Sequence, residues 1–293
     1  MPTAVTTANN RRNFSMDCGG RVLDLSQPQV MAVLNVTPDS FSDGGSLTTA
    51  GLVNQQKVLQ RVERMLAEGA AIIDVGGEST RPGAKAVPLA EEMDRVLPVV
   101  DAINARFDTV ISVDTSSPEL MLAAARCGAG LLNDVRALER PGALAAAAQT
   151  GLPVCLMHMQ GSPAMMQHNP NYQNVVSEVA KYLTARAESC VAAGIAAERI
   201  IIDPGFGFGK TVEHNLQLLK GLSQLQAMGF PILVGLSRKS LIGQVLGREV
   251  ADRLAGSLAL ALMSLMHGAA IVRVHDVAET VDALKLFNAM QNA

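Results

Sequence analysis

From residue 30 onward, short apolar runs alternate with longer stretches in which apolar positions recur at helical spacing. The short runs predict strands at residues 30–37, 71–75, 110–114, 131–135, 153–158, 200–203, 232–236 and 270–275. Several of them, such as AIID, LLND and IIID, are apolar on successive residues, as parallel strands buried on both faces are. The longer stretches predict helices over 54–68, 91–107, 118–127, 142–150, 174–193, 213–227, 253–266 and 278–290. Gly69, Gly128, Gly151, Gly194, Gly229 and Gly268 follow six of these, in the place of C-terminal caps.

Eight repeats of one strand–helix unit, with no Pro/Ser-rich linker, predict an α/β chain folded as a single (β/α)8 TIM barrel. A doubly wound open sheet is the second arrangement the pattern allows. Such barrels need roughly 250 residues, and the chain has 293. The reading divides it into a flexible N-terminal extension, 1–20, and a barrel domain, 21–293, with residues 21–25 forming a small hairpin arm under the barrel.

Nearly every predicted strand ends on a polar residue: Asn35, Asp74, Asp114, Asn133, His158, Asp203, Ser237, and Arg273 with His275. In a (β/α)8 barrel these ends converge at one mouth, where the chemistry sits. A single Asp there could simply cap the next helix; a polar residue at all eight ends is harder to explain that way. Asp74 stays unassigned, because Gly76 and Gly77 follow it before any helix begins.

Composition narrows the function classes. Hydrophobic residues at 48% and charged residues at 17% supply a sizeable core and too little charge for disorder. Aromatics are 3% with no Trp, so aliphatic side chains and Met must fill that core. A net charge of -3 without a basic stripe argues against nucleic acid. Cys18, Cys127, Cys155 and Cys190 lie far apart, which fits free thiols in a reducing compartment, and a cytoplasmic location is expected. Residues 1–15 lack the apolar run of a secretory signal. The apolar stretch 254–272 is interrupted by Gly256, Ser257, Ser264, His267 and Gly268. A membrane span needs about 20 predominantly apolar residues, so this stretch reads as a buried helix running into a strand, with no membrane partner. The Gly-rich stretch 205–211 ends in GKT, but a P-loop would need Gly where Pro204 stands.

Eight segments carry the chemistry: MAVLNVTPDSFSDGG (31–45), IIDVGGESTRPGA (72–84), ISVDTS (111–116), LLNDV (131–135), VCLMHMQG (154–161), IIIDPGFGFGKT (200–211), ILVGLSRKS (232–240) and IVRVHDV (271–277). In identity and order this set resembles the dihydropteroate synthases. The resemblance implies a (β/α)8 barrel, usually homodimeric, acting in folate synthesis and targeted by sulfonamides. Its substrates would be (7,8-dihydropterin-6-yl)methyl diphosphate and 4-aminobenzoate, its products dihydropteroate and diphosphate. The alternative is the pterin-binding module of a corrinoid-dependent methyltransferase. Such modules resemble this chain in fold and in an Asp/Asn/Asp pocket but hold no diphosphate, whereas STRPG, SRKS and RVH suit a diphosphate and an arylamine.

The residues support these roles chemically. A pterin's amino-pyrimidinone edge offers adjacent N–H donors that match a carboxylate, which Asp114 and Asp203 supply, and the Asn133 amide can donate and accept. The resemblance puts all three in the pterin pocket together with Lys239; for Met157 and Gly235, packing and contact are equally open. Arg273 and His275 alternate on the last strand and so face one side. Asn35 offers a hard oxygen suited to Mg2+, which keeps several waters and binds phosphate oxygens. The resemblance assigns Asn35, Arg273 and His275 to diphosphate and its Mg2+, and adds Arg81 as a clamp; Lys239, Arg273, His275 and Arg81 are the expected catalytic groups. It assigns Phe41, Thr80, Pro82, Phe208, Lys239 and Ser240 to 4-aminobenzoate. Pro and Phe can wall a flat ring, and Ser240, opening a short helix, can meet the carboxylate. His158 reads as a hydrogen-bonded structural histidine; Gln160 stays unassigned. The apolar helix 253–266 suggests pairing into a homodimer through the C-terminal half, although burial within one subunit explains it equally well.

Overall fold

The computed structural model describes residues 14–37, 48–49, 52–79, 87–161, 166 and 169–293. Eight parallel strands form the central sheet: β3 (Gln29–Asn35), β6 (Ile72–Gly76), β7 (Val110–Asp114), β8 (Leu131–Asp134), β9 (Val154–Met157), β10 (Ile200–Asp203), β11 (Leu233–Val234) and β12 (Ile271–Val274). Their spatial order is β10-β9-β8-β7-β6-β3-β12-β11. A parallel bridge between Ile202 and Ile232 joins the two ends of this order and closes the ring. The single barrel therefore replaces the open-sheet alternative. The hairpin is also present, as β1 (Ser15–Cys18) paired antiparallel with β2 (Arg21–Asp24). A domain boundary drawn at residue 20 would cut through it: β1 packs with the barrel, because Met16 and Cys18 are as buried as Leu23. A minor antiparallel pair, β4 (Thr48–Thr49) with β5 (Leu52–Val53), was not anticipated.

Helices follow the strands: α1 (Gln55–Ala67), α2 (Leu89–Arg106), α3 (Pro118–Arg126), α4 (Ala143–Thr150), α5 (Val175–Ala192), α6 (Val212–Lys220), α7 (Leu222–Gln226), α8 (Ser240–Leu246), α9 (Leu254–Met266) and α10 (Val277–Gln291). The expected helix 213–227 is two helices, broken at Gly221, where a Cβ would lie 2.6 Å from Val176 Cγ2. The stretch 254–272 is the expected helix and strand, α9 and β12. No helix of the described residues is long and apolar enough to cross a membrane.

Period-two alternation sorts each strand into an outer and an inner row. Outer residues such as Val30, Ile73, Ile111, Leu132, Leu156 and Ile202 pack with the helices in one large core. Inner residues Met31, Ile72, Val110, Leu131, Cys155, Ile201, Leu233 and Ile271 form a second cluster, sealed from below by Met16, Cys18, Leu23 and Leu25 of the hairpin region. The interior is thus plugged with apolar side chains, as barrel interiors are. Two to four residues further along the strands, the next inward positions carry the site.

Candidate active site

Counting two residues up from the plug gives Asp74 above Ile72, Asn133 above Leu131, Met157 above Cys155, Asp203 above Ile201, Gly235 above Leu233 and Arg273 above Ile271. Asn35 and Asp114 stand four positions above Met31 and Val110. Strand parity alone brings these residues to one mouth.

Asp74, which the motifs left unassigned, organises the centre. It is 0% exposed. Its Oδ2 accepts from Arg273 Nε at 2.6 Å, and its Oδ1 accepts from Ser112 Oγ at 2.6 Å. Asn133 Nδ2 approaches both oxygens at 3.4 Å. Arg273 Nη2 also donates to Asp114 Oδ2 at 3.2 Å, so one guanidinium bridges two carboxylates. Burial works against the Arg273 charge, but Asp74 and Asp114 outweigh it and hold its pKa above the usual arginine value. Burial, reinforced by the charge of Asp74, pushes the Asp114 carboxyl well above the ordinary carboxylate range, with Arg273 opposing. The inward parity that Asp74 shares with Asp114 is the signal that could have found it.

Opposite this group sit Asp203 and Lys239. Burial raises the Asp203 pKa against the pull of Lys239 and of the Gly205 N–H, which donates to Asp203 Oδ1 at 2.7 Å. Burial lowers Lys239 to about 8, with Asp203 opposing. Lys239 Nζ donates to Phe206 O and stands 4.5 Å from the centroid of the Phe208 ring. The backbone at Gly207, with φ +80°, leaves room for it: a Cβ there would meet Lys239 Cδ at 3.1 Å. Lys239 is the N-cap of α8, and Ser240, exposed, opens that helix as the sequence suggested.

Lys210 of the GKT stretch faces inward. Its Nζ donates to Gly205 O (2.9 Å) and Phe208 O (3.0 Å) and lies 2.9 Å from His158 Nδ1. It ties the loop to itself, with the Nζ group turned onto protein acceptors. A side chain at Gly205 is impossible, since its Cβ would lie 1.9 Å from His158 O. Burial, with Lys210 adding to it, depresses His158 to about 3, so the ring is neutral and structural. Gln160 is structural too, exchanging hydrogen bonds with the backbone of Asn171 at 2.9 and 3.1 Å.

At the rim, Asn35 Oδ1 would lie 3.5 Å from a Cβ placed on Gly76, which keeps the gap between Asn35 and Asp114 open. His275 Nδ1 lies 3.1 Å from Ser237 Oγ. Arg238, at φ +57°, donates through Nε to Asp276 Oδ2 at 3.0 Å and so braces the loop that carries Lys239. Phe41, Thr80, Arg81 and Pro82 fall outside the described residues. Among the described residues, no group of three or more His, Cys, Asp or Glu could hold a metal ion.

Residues 31–275 match the pterin binding enzyme family. Over 274 residues the chain is 54% identical to the dihydropteroate synthase of Escherichia coli strain K12, covering 94% of this chain and 95% of that one. It superimposes on the Yersinia pestis dihydropteroate synthase in complex with a sulfonamide drug with a TM-score of 0.91, at 52% identity over 96% of this chain and 100% of that chain. The Xanthomonas albilineans dihydropteroate synthase with 4-aminobenzoic acid gives 0.89, at 48% identity over the same shares. By the family match, these identities and the shared closed barrel, the chain belongs to the pterin-binding enzyme family, among the dihydropteroate synthases.

Proposed function

We infer that this chain joins (7,8-dihydropterin-6-yl)methyl diphosphate to 4-aminobenzoate, forming dihydropteroate and releasing diphosphate. The observation that carries this is the inward layer in which Asp114, Asn133 and Asp203 share one mouth with Lys239 and Arg273. The carboxylates and the amide take the pterin's N–H edge, and Lys239 lies within their reach. Arg273, on β12, and His275, just beyond its end, take the diphosphate together with Arg81. Met157, 3% exposed on β9 and in register with Asp203 on β10, lends the pocket an apolar side chain at that level. Gly235 leaves clearance beside Arg273, whose Cβ would be 3.9 Å from an added methyl. Phe208, together with Phe41 and Pro82, walls the arylamine ring, and Thr80 and Ser240 meet its polar ends.

The reaction is substitution at the pterin's exocyclic methylene. Positive charge left on the dihydropterin is stabilised by Asp114 and Asp203. Charge growing on diphosphate is stabilised by Arg273, His275 and Arg81, the kind of preorganised electrostatics that dominates such steps. Asn35 offers a hard oxygen at the same mouth; it suits Mg2+ whose other ligands come from diphosphate and water. When bound, that ion offsets leaving-group charge. Diphosphate release on mixing both substrates with Mg2+ tests the reading. A methyl-carrier module would release none.

The partner we propose is a second copy of the chain. Val245, Leu246, Met263, Met266, Leu286 and Met290 are exposed and all lie on α8, α9 and α10. So much apolar surface on adjacent helices is the mark of an interface. A monomer mass by light scattering at micromolar concentration would end this part of the proposal. Four free thiols, three of them buried, fit a reducing cytoplasm.

A further inference from the structure

Lys210 is 3% exposed and has no part in the reaction inferred above. Its Nζ donates to Gly205 O at 2.9 Å, Phe208 O at 3.0 Å and His158 O at 3.4 Å, and lies 2.9 Å from His158 Nδ1. Gly205 O also accepts from the Phe208 N–H at 3.1 Å. The two loop carbonyls that Lys210 grips are therefore the ends of one four-residue turn. Burying an amine is costly unless its donors are engaged, and here the acceptors come largely from the backbone of this turn.

The same turn receives Lys239. Phe206 O accepts from Lys239 Nζ, Gly207 lies beside Lys239 Cδ, and the Phe208 ring centroid stands 4.5 Å from Lys239 Nζ. Three consecutive residues meet one lysine while the other lysine holds the turn at its ends. Asn215 is a further anchor: buried, it accepts from the Gly207 N–H at 2.8 Å and donates to Lys210 O at 3.3 Å. A Cβ on Gly209 would lie 2.5 Å from Gln160 O, so the loop sits hard against the segment 158–160. Lys210 also bears on the pterin end. Burial raises the Asp203 pKa, and Lys239, the Gly205 N–H and Lys210 oppose it in that order. Lost activity alone would not separate these two effects, whereas the reactivity of the Lys239 amine does.

We propose that Lys210 is a positioning residue that acts through Lys239: by holding the Gly205 and Phe208 carbonyls, it presents Phe206 O and the Phe208 ring to Lys239 and so fixes where that amine stands. The consequence for turnover rests on the function inferred above; the placement of Lys239 is read without it. Acetylation of each lysine by trace acetic anhydride is followed by peptide mass spectrometry across pH, in the unmodified protein, Lys210→Met and Lys210→Gln. The pH dependence separates the ionisation of Lys239 from its access to the reagent. In Lys210→Met the limiting rate at Lys239 should rise at least about threefold as its anchor loosens. The exposed Lys57, Lys181, Lys220 and Lys285 should keep their rates. Lys210→Gln, a shorter side chain that retains two N–H donors, should fall between. With pterin diphosphate saturating, kcat/KM for 4-aminobenzoate should drop about tenfold or more in Lys210→Met and partly recover in Lys210→Gln. A smaller rise at Lys239, a rise shared by the other lysines, or an unchanged kcat/KM would overturn the proposal. Should Lys210→Met fail to fold, the same readings are taken on Lys210→Gln, where no selective rise at Lys239 would be fatal. Absence of diphosphate release by the unmodified enzyme is a separate result: it would bring down the inferred function and leave the labelling result standing.

Discussion

Arg273 Nε and Asp74 Oδ2 lie 2.6 Å apart across 199 residues of chain. Asp74 is on β6 and Arg273 on β12, and both strands flank β3 in the ring. Strands are spaced about 4.8 Å apart, so two inward side chains separated by one strand are within reach of a guanidinium. The pair aims the free edge of Arg273 toward Asp114 and the mouth.

Asp74→Asn should therefore damage the diphosphate end. The amide cannot offset the guanidinium's charge, and loss of a charge-assisted bond costs on the order of 1.5–3 kcal/mol. About a tenfold to hundredfold fall in kcat/KM for the pterin diphosphate is expected, with 4-aminobenzoate KM little changed. Steady-state kinetics with each substrate varied in turn would show this, and equal changes in both constants would contradict it.

Asp114 makes pterin binding pH-dependent. Burial and Asp74 raise its pKa, so the free enzyme holds a proton there at pH values where an ordinary carboxyl is ionised. Pterin N–H donors favour the carboxylate, so binding expels that proton and affinity rises as pH is raised above the usual carboxylate range. Calorimetry in buffers of different ionisation heat should give buffer-dependent enthalpies, and Asp114→Asn should abolish that dependence while weakening binding by about 1.5–3 kcal/mol. Unchanged affinity in this variant would remove Asp114 from the pocket.

His158 should contribute to acid sensitivity. Its pKa falls from 6.5 to about 3 on folding, through burial and then Lys210. Between those values the unfolded chain binds more protons, so stability is lost as pH drops through that window. In His158→Gln this part of the pH dependence should vanish, flattening the denaturant midpoint between pH 6.5 and 3 relative to the unmodified protein. Parallel curves would show that His158 is not the group responsible.

Sulfonamides should compete with 4-aminobenzoate, because they copy its aminophenyl ring and place a polar group near its carboxylate. Discrimination between the two must come from the rim, beyond where the carboxylate ends. Enlarging the residue at position 41, or making Pro82→Ser, should raise the drug's inhibition constant more than KM for 4-aminobenzoate. Constants that move together would place the discriminating surface elsewhere.

Much of this molecule is legible along the chain because the rules involved are local. Alternation with period two and helical spacing depend on a few residues at a time, so eight strand–helix units, and the polar residue ending each strand, can be read without coordinates. Asp114, Asn133, Asp203 and Arg273 were found in this way. Asp74 escaped because its meaning lies in a partner 199 residues away. Only closure of the ring decides which strands become neighbours, and with them which inward side chains can touch. The same holds for Lys210, whose GKT setting looks like a phosphate loop until the fold turns the ammonium onto Gly205, Phe208 and His158. It holds too for Arg136 and Glu78, two charged residues in separate motifs that the barrel sets 3.2 Å apart. Burial then shifts the titration of Asp114, Lys210 and His158, because desolvation depends on everything packed around a side chain and not on its sequence neighbours.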